Sequence, residues 1–493
     1  MPQPHPPLRP SLATHYRRYA IGNVLTLAAG FVSFPVTTRL LSSEQFGILG
    51  YWEAWILLLT AVLKLGAGDP MMRFYPAGGD QQQLARHSTN FLLVPALMGA
   101  AGWMFSMMLV WFGSASGFVD TPAIAFAAMS LVLLQVVISH VLWAMRTREL
   151  SGAGVLVEVT WRWLGVAAVV VTLVYVTQSL LGLFVARVMV AAIVAAWLLR
   201  WTLQNLQFSR LALDWRFARE GLAYGLPLAM MELSSIVLTF IDRIMLKWLL
   251  NDYAALGIFV IGSSLANYVA QLATSALAQA WLPAANRIYN TQGPNAIRSA
   301  KQRLLRPLTY VCVGLAVAVI VGGRDLVTLI AGVGKVDAAP IFITAAVCLT
   351  LIPVLSIAGT GLLLERRSKT LFALTLAAAS FNFLVNLVAI PQFGILGATF
   401  STCASQALLQ VLVYRFCSPA LRSLPDVSVV GRALLAALTC LALAAGADTL
   451  ALQLPIWRLC VLVPVLGLGY VLPAMAMDRE LRNLILGRTS LGL

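Results

Sequence analysis

Thr38-Arg39-Leu40-Leu41-Ser42-Ser43-Glu44-Gln45-Phe46-Gly47 closes one apolar run and opens the next. The runs on either side, 19–41 and 46–66, are each near the ~20 apolar residues that carry a helix across the hydrocarbon core of a bilayer. Between them lie a basic helix end, a short polar turn and a glycine. The same order returns at Asp242-Arg243-Ile244-Met245-Leu246-Lys247-Trp248-Leu249-Leu250-Asn251-Asp252-Tyr253-Ala254-Ala255-Leu256-Gly257, six spans later. The pentapeptide Phe-Gly-Ile-Leu-Gly stands at 46–50 and again at 393–397. A six-helix duplication of this kind gives two parallel lobes, a common transporter plan.

Extended over the chain, the pattern predicts an all-α polytopic membrane protein with fourteen spans: 19–41, 46–66, 89–112, 122–145, 153–176, 178–200, 221–249, 254–281, 307–323, 339–364, 370–390, 394–417, 428–447 and 456–477. The expected organisation is a disordered, Pro-rich cytoplasmic N-terminus (1–18), an N-lobe (19–200) and a cytoplasmic linker (201–220). A C-lobe (221–417), two further helices (428–477) and a cytoplasmic tail (478–493) follow. No cleavable signal is expected, because no short apolar core precedes a small-residue cleavage site. Composition agrees. Of 493 residues 60% are hydrophobic and 11% charged, with mean hydropathy +0.85, whereas soluble domains carry about 25% charged residues. A soluble nucleic-acid binder and a disulfide scaffold are excluded.

The net charge of +15 follows from topology. With both termini in the cytoplasm, 26 of the 34 Lys and Arg residues fall on that side. Five (Arg39, Lys247, Arg324, Lys335 and Arg458) fall outside, and three (Arg162, Arg187 and Arg243) lie inside spans. That asymmetry is the positive-inside rule.

Catalytic and metal constellations are missing. His5, His15, His87 and His140 are scattered, and there is no HExxH motif or phosphate-binding loop. The six cysteines form no CxxC pair and read as buried small hydrophobes. No nucleic-acid partner, metal or organic cofactor is expected.

The informative residues are ionisable or amide groups inside spans, each costly unless it faces a partner or water. They are Glu53, Glu158 and Arg162 (i, i+4), Arg187, Glu232, Asp242 and Arg243. Asn267, Gln271 and Gln279 make a polar stripe on the eighth span, and Asn382 with Asn386 shares one face of the eleventh. Pairwise neutralisation and interhelical hydrogen bonding explain part of this set. A shared wet, cationic lumen explains it together. Pro35, Pro227 and Pro353 interrupt spans and permit bending. The stretch from Arg287 to Arg306 interleaves apolar and basic residues, as an interfacial amphipathic segment or an ordinary basic loop does.

Several stretches, in this order, resemble the polysaccharide biosynthesis proteins, the Wzx-type flippases of the multidrug/oligosaccharidyl-lipid/polysaccharide superfamily. They are Thr38–Gly47, Gly66–Tyr75 with Arg73, Tyr224-Gly-Leu-Pro-Leu228, Asp242-Arg243-Ile-Met-Leu246, Leu256-Gly-Ile-Phe259, Gln279-Ala-Trp-Leu-Pro283 and Asn386–Ala398. The resemblance implies two pseudo-symmetric six-helix bundles plus two C-terminal helices. It also implies movement of an undecaprenyl-pyrophosphate-linked oligosaccharide across the bacterial plasma (inner) membrane by alternating access. The expected drive is a Na⁺ or H⁺ gradient or the membrane potential, beside the polymerase and export machinery of the same pathway. Charge placement then makes Arg162, Arg187, Arg39, Arg73 and Arg243 head-group candidates. Glu53, Glu158, Glu232 and Asp242 become ion- or proton-coupling candidates, and Asn267, Gln271, Asn382 and Asn386 lumen candidates. A lipid II flippase and a cation-coupled multidrug exporter are the alternatives. A membrane polymerase is disfavoured, because the outer loops are too short to hold a glycan chain.

Overall fold

Ser42 and Gln45 start the second helix with a reciprocal cap. Ser42 Oγ accepts from the Gln45 N–H at 3.1 Å, and Gln45 Oε1 accepts from the Ser42 N–H at 2.9 Å. Two donors that a helix start leaves unpaired are thereby satisfied. The computed structural model describes residues 12–447 and 455–486, and not the side chains of 12–17, 19–20, 272–280, 447 and 455. Residues 1–11 of the expected disordered N-terminus, the end of the C-terminal tail and the Gln279 side chain lie outside the described residues, while 12–18, expected to be disordered, form the start of a helix.

Every regular element among the described residues is helical. In order they are α1 (Leu12–Leu40), α2 (Ser43–Leu63), α3 (Gly68–Arg73), α4 (Gln81–Ser88), α5 (Val94–Ala115), α6 (Pro122–Thr147), α7 (Ser151–Val171), α8 (Leu180–Asn205) and α9 (Trp215–Leu250). The second half has α10 (Tyr253–Gln292), α11 (Pro294–Ala331), α12 (Ala339–Ala358), α13 (Gly361–Leu364), α14 (Ser368–Phe416), α15 (Val427–Ala447), α16 (Pro455–Leu466), α17 (Leu472–Met477) and α18 (Arg479–Ile485). Thirteen stretches among the described residues are long and apolar enough to cross a membrane. The expected count was fourteen. The difference sits in α14, where the spans expected at 370–390 and 394–417 form one helical run broken at Gly394 (φ 60°, ψ −137°). Glycine takes that left-handed backbone without the Cβ penalty.

The chain divides into two compact units. The first holds Met1–Leu41 and Trp55–Leu233, the second Ser42–Ala54 and Ser234–Leu493. Thus α2 and α9 each run through both. In the first unit α1 lies along α7, and α6 packs on α5 and α8. Phe74, Phe91 and Phe217 pack against one another as an aromatic cluster there. In the second unit α12 sits among α10, α11 and α14. There α15 and the Gly467–Val471 turn pack on α11 through Val313, Val317, Val429, Ala433, Cys440 and Tyr470. The apolar residues between Arg287 and Arg306 (Ile288, Ile297, Leu304 and Leu305) are buried in a core cluster of this unit. That segment therefore packs its apolar side into the protein, with Arg298 and Arg303 exposed beside it.

Candidate functional site

The break in α14 builds a polar interior place in the second unit. Gly394 turns the chain, and a Cβ at Gly397 would overlap the Ala389 carbonyl, so the two arms meet closely only because both residues are glycine. Asn382 and Asn386 on the first arm then face Ser401 and Thr402 on the second. Asp242 of α9, 1% exposed, joins them. Asn386 Nδ2 donates to Asp242 Oδ1 at 2.6 Å and to Asn382 Oδ1 at 3.2 Å. Thr402 Oγ1 donates to Asp242 Oδ2. Ser401 Oγ donates to the Asn382 carbonyl at 3.1 Å and accepts from Asn382 Nδ2 at 3.4 Å. Asn386 Oδ1 is buried without a hydrogen-bond partner.

A cavity of about 40 Å³ opens beside this cluster, lined among others by Thr239, Asp242, Arg243, Ser263, Asn267, Thr402 and Gln406. Arg243 is 6% exposed. Its Nη2 donates to Ser264 Oγ at 3.2 Å, its Nη1 lies 3.8 Å from Glu53 Oε2, and its guanidinium stacks 4.9 Å from the Phe240 ring. The pocket offers one carboxylate, amide carbonyls and hydroxyls beside the Arg243 guanidinium. Such a donor set suits a hard monovalent cation or a proton. Among the described residues no three His, Cys, Asp or Glu side chains come together as a transition metal requires.

The other candidates lie elsewhere. Asn267 lines the cavity and donates to the Ser263 carbonyl at 2.9 Å, whereas Gln271, one turn on, is exposed. Glu232 pairs with Lys64 at 2.6 Å in the first unit. Glu158 pairs with Arg146 at 3.1 Å, a partner on α6 rather than its i+4 neighbour Arg162. Arg162 is exposed, with its guanidinium 5.1 Å from the Trp161 ring. Arg187 is half-buried on α8, and Arg39 is exposed at the end of α1. Arg73 is exposed at the end of α3 and stacks on Tyr224 at 4.3 Å. Asp242, Arg243, Glu53, Asn267, Asn382 and Asn386 are thus brought together, and the other six arginine and glutamate candidates, all in the first unit, are not part of that group. Sequence reasoning missed Ser401, Thr402, Lys64 and Arg146. Lys64 stands at a span end, where the positive-inside pattern explains it, and Thr402 is one hydroxyl in a helix rich in them.

The profile of the family described as "Polysaccharide biosynthesis protein" matches residues 18–289. No curated protein matches the sequence. Among solved structures, the fold is similar to the lipid II flippase MurJ in an inward closed conformation. There the TM-score is 0.74 at 11% identity, over 94% of this chain and 99% of that one. It is also similar to an inward-facing multidrug resistance MATE family transporter of the MOP superfamily, with TM-score 0.62 at 14% identity over 80% of this chain and 93% of that one. An outward-facing MATE transporter gives TM-score 0.55 at 12% identity, over 83% and 96%. The fold is therefore that of a multi-pass membrane transporter, and the chain belongs to the polysaccharide biosynthesis protein family.

Proposed function

We propose that the protein flips an undecaprenyl-pyrophosphate-linked oligosaccharide from the cytoplasmic to the outer leaflet of the bacterial plasma membrane, with both termini in the cytoplasm. The cation or proton that drives it binds at Asp242. The observation that carries this reading is the Asp242 cluster. A buried carboxylate whose direct hydrogen-bond partners are a neutral amide and a hydroxyl is costly to leave unneutralised, and an adjacent carbonyl, Asn386 Oδ1, lacks a donor. A bound Na⁺ or a proton relieves the buried charge. An ion that binds one conformation better than another shifts the equilibrium between them, which is what alternating access needs. Family membership supports the glycan cargo, and the lysine and arginine distribution supports the orientation. The exposed Arg39, Arg73 and Arg162 are the residues we assign to the pyrophosphate, which guanidinium groups recognise in a bidentate manner. The sugars go to the pathway's polymerase and export machinery.

A lipid II-type cargo is the second reading. Its support is that the MurJ match spans 94% of this chain, while the MATE matches span 80–83%. The test is leaflet translocation in proteoliposomes with an undecaprenyl-pyrophosphate oligosaccharide, and in parallel with lipid II, under imposed Na⁺ and H⁺ gradients. Movement of the oligosaccharide that a gradient accelerates in wild type and not in Asp242→Asn is the expected result. Folded protein that moves neither lipid under any gradient overturns the reading.

A further inference from the structure

Cys348 on α12 and Cys403 on the second arm of α14 meet inside the second unit. The Cys348 thiol donates to the Cys403 carbonyl at 3.7 Å, and the Cys403 thiol to the Thr344 carbonyl, one turn before Cys348, at 4.0 Å. Each sulfur therefore lies against the backbone of the other helix. The two sulfurs are also within hydrogen-bonding reach of each other.

A shared register carries this meeting. A Cβ at Gly359, just past α12, would come within 2.9 Å of Val413 Cγ1 and 3.5 Å of the Tyr414 nitrogen. From Cys348 to Gly359 is eleven residues, and from Cys403 to Tyr414 is also eleven. Both steps are about three helical turns. The two helices thus run in the same direction and present one face to each other at both levels. Facing sulfurs already in contact need side-chain rotation to reach the ~2 Å of a disulfide.

The sequence presents all six cysteines as small buried hydrophobes, and Cys312, Cys417 and Cys440 are buried. Cys348 and Cys403 are half-buried, and Cys403 lines the cavity beside Asp242. That cavity, about 40 Å³, has room for roughly two or three water-sized groups. A small hydroperoxide fits there.

We propose that Cys403 and Cys348 are a peroxide-reactive dithiol, in which Cys403 meets the oxidant in the cavity and Cys348 resolves it. The Cys403 sulfur attacks one oxygen of a hydroperoxide and the O–O bond breaks. The other oxygen leaves as water or an alcohol, carrying the thiol proton. Cys403 is then a sulfenic acid. The Cys348 sulfur displaces its hydroxyl, which leaves as water with the Cys348 proton, and the disulfide forms. The two sulfurs together lose two electrons and the peroxide gains them. A thiol reductant restores both thiols by exchange. The bond ties α12 to α14 at the residue after Thr402, which holds Asp242. Neither the cargo nor the driving ion enters this chemistry.

The test uses the full-length protein in nanodiscs, reduced, treated with hydrogen peroxide and read by peptide-resolved mass spectrometry without reductant. Wild type is expected to yield peptides joined through 348 and 403, and to lose two of its six thiols while the exposed Cys460 stays a thiol. Dithiothreitol is expected to return both. Oxidised wild type is expected to melt higher than reduced, as a cross-link between two packed helices does. Cys348→Ser is expected to stall at the sulfenic acid, so that dimedone labels position 403. Cys403→Ser is expected to leave position 348 unlabelled at the same dose. The wild-type measurement stands whether or not either variant folds. A disulfide joining other cysteines, six thiols surviving a dose that oxidises Cys460, or dimedone on 348 rather than 403 each overturn the proposal.

Discussion

Asn386 donates its side-chain amide to Asp242 across 2.6 Å, and so holds the first arm of α14 against α9 with a charge-assisted bond. Such bonds are roughly twice as strong as neutral ones. The second arm of α14 reaches the same carboxylate through Thr402. One side chain on α9 therefore fastens both sides of the Gly394 break, and whatever neutralises Asp242 loosens or re-aims both.

Ligand-linked stability follows first. A cation that binds only the folded protein stabilises it by about 2.7 kcal/mol at a hundred times its Kd. In detergent or nanodiscs, Na⁺ or proton titration of wild type is expected to raise Tm, and Asp242→Asn is expected to be flat to the same titration. Asn386→Ala is expected to keep the response at lower affinity and to lower Tm, since it removes a charge-assisted bond worth ~1.5–3 kcal/mol. A wild-type Tm indifferent to both ions ends the coupling assignment.

A second prediction concerns the two glycines that open related helices in the sequence. A Cβ on Gly47 would overlap the Tyr253 carbonyl, and a Cβ on Gly257 would overlap the Ser43 carbonyl. Here backbone meets backbone, so no flexible side chain can move aside. Gly47→Ala and Gly257→Ala are each expected to cost about 1–3 kcal/mol. The control is Gly431→Ala, where an added Cβ meets nothing. Equal melting temperatures for all three variants would show that the two helix starts are not in contact.

The sequence made the helices legible and the partnerships much less so. Spans announce themselves by length and apolarity, and the basic residues between them orient them. Gly47 and Gly257, which the two repeated stretches share, lie against each other's backbone, a contact that a comparison of the stretches does not reveal. The repeat of Phe-Gly-Ile-Leu-Gly did not mean the same thing twice. Gly47 is a point of close approach, whereas Gly394 is a left-handed break that folds one helical run into two arms. The division of α2 and α9 between units left no mark, since neither helix is interrupted where the units change. In the site, Asp242, Asn382 and Asn386 stood out because charges and amides are scarce in spans. Thr402 did not, because an intrahelical hydroxyl commonly bonds to its own helix, as Thr402 also does at the Ala398 carbonyl. Glu158 turned to Arg146 rather than Arg162 because a neighbouring helix offered a nearer cation, which spacing along one helix cannot reveal.

Acid provides a third test, at the C-terminal end. Asp478, just past α17, caps α18 by accepting from the Glu480 and Leu481 N–H groups. It also takes a two-pronged bond from Arg306 at 3.0 Å and one from Tyr310 at 3.0 Å. Burial pushes its carboxyl upward, but the Leu481 N–H, the Arg306 guanidinium and the Tyr310 hydroxyl together outweigh that, and it sits below the usual carboxylate range. A depressed carboxylate adds stability above its unfolded pKa of ~3.9 and loses it as pH falls through the folded value. Protection from hydrogen exchange in 479–485, taken relative to the intrinsic rate at each pH, is therefore expected to be high at pH 6–7 and to fall below about pH 4. Asp478→Asn is expected to be weakly protected at every pH. Parallel pH profiles for the two proteins would remove Asp478 as the anchor.

The last prediction rests on Lys301, a lysine with no exposed surface inside a segment that the sequence offered as a basic loop. Its Nζ donates to the Leu421 carbonyl at 2.8 Å and to the Ala358 carbonyl at 3.1 Å. Those carbonyls belong to the end of α12 and to the turn that follows α14, places where helix ends leave acceptors without partners. The ammonium ties three segments with one group. Lys301→Met keeps the length and the apolar stem and removes the donor. Two buried carbonyls then go unpaired, at about 1–3 kcal/mol each, while the desolvation cost of the buried ammonium is relieved. Two lost acceptors outweigh one relieved charge that was already hydrogen-bonded, so a net loss of ~1–3 kcal/mol is expected. It should appear as a lower Tm with faster exchange confined to 359–365 and 418–422. Lys301→Arg tests geometry at constant charge: the longer planar fork does not fit a pocket with no exposed surface, and it too is expected to destabilise. A Lys301→Met protein as stable as wild type would mean that the surrounding apolar cluster, with Leu304, Leu305, Leu364 and Leu421, holds these ends by itself.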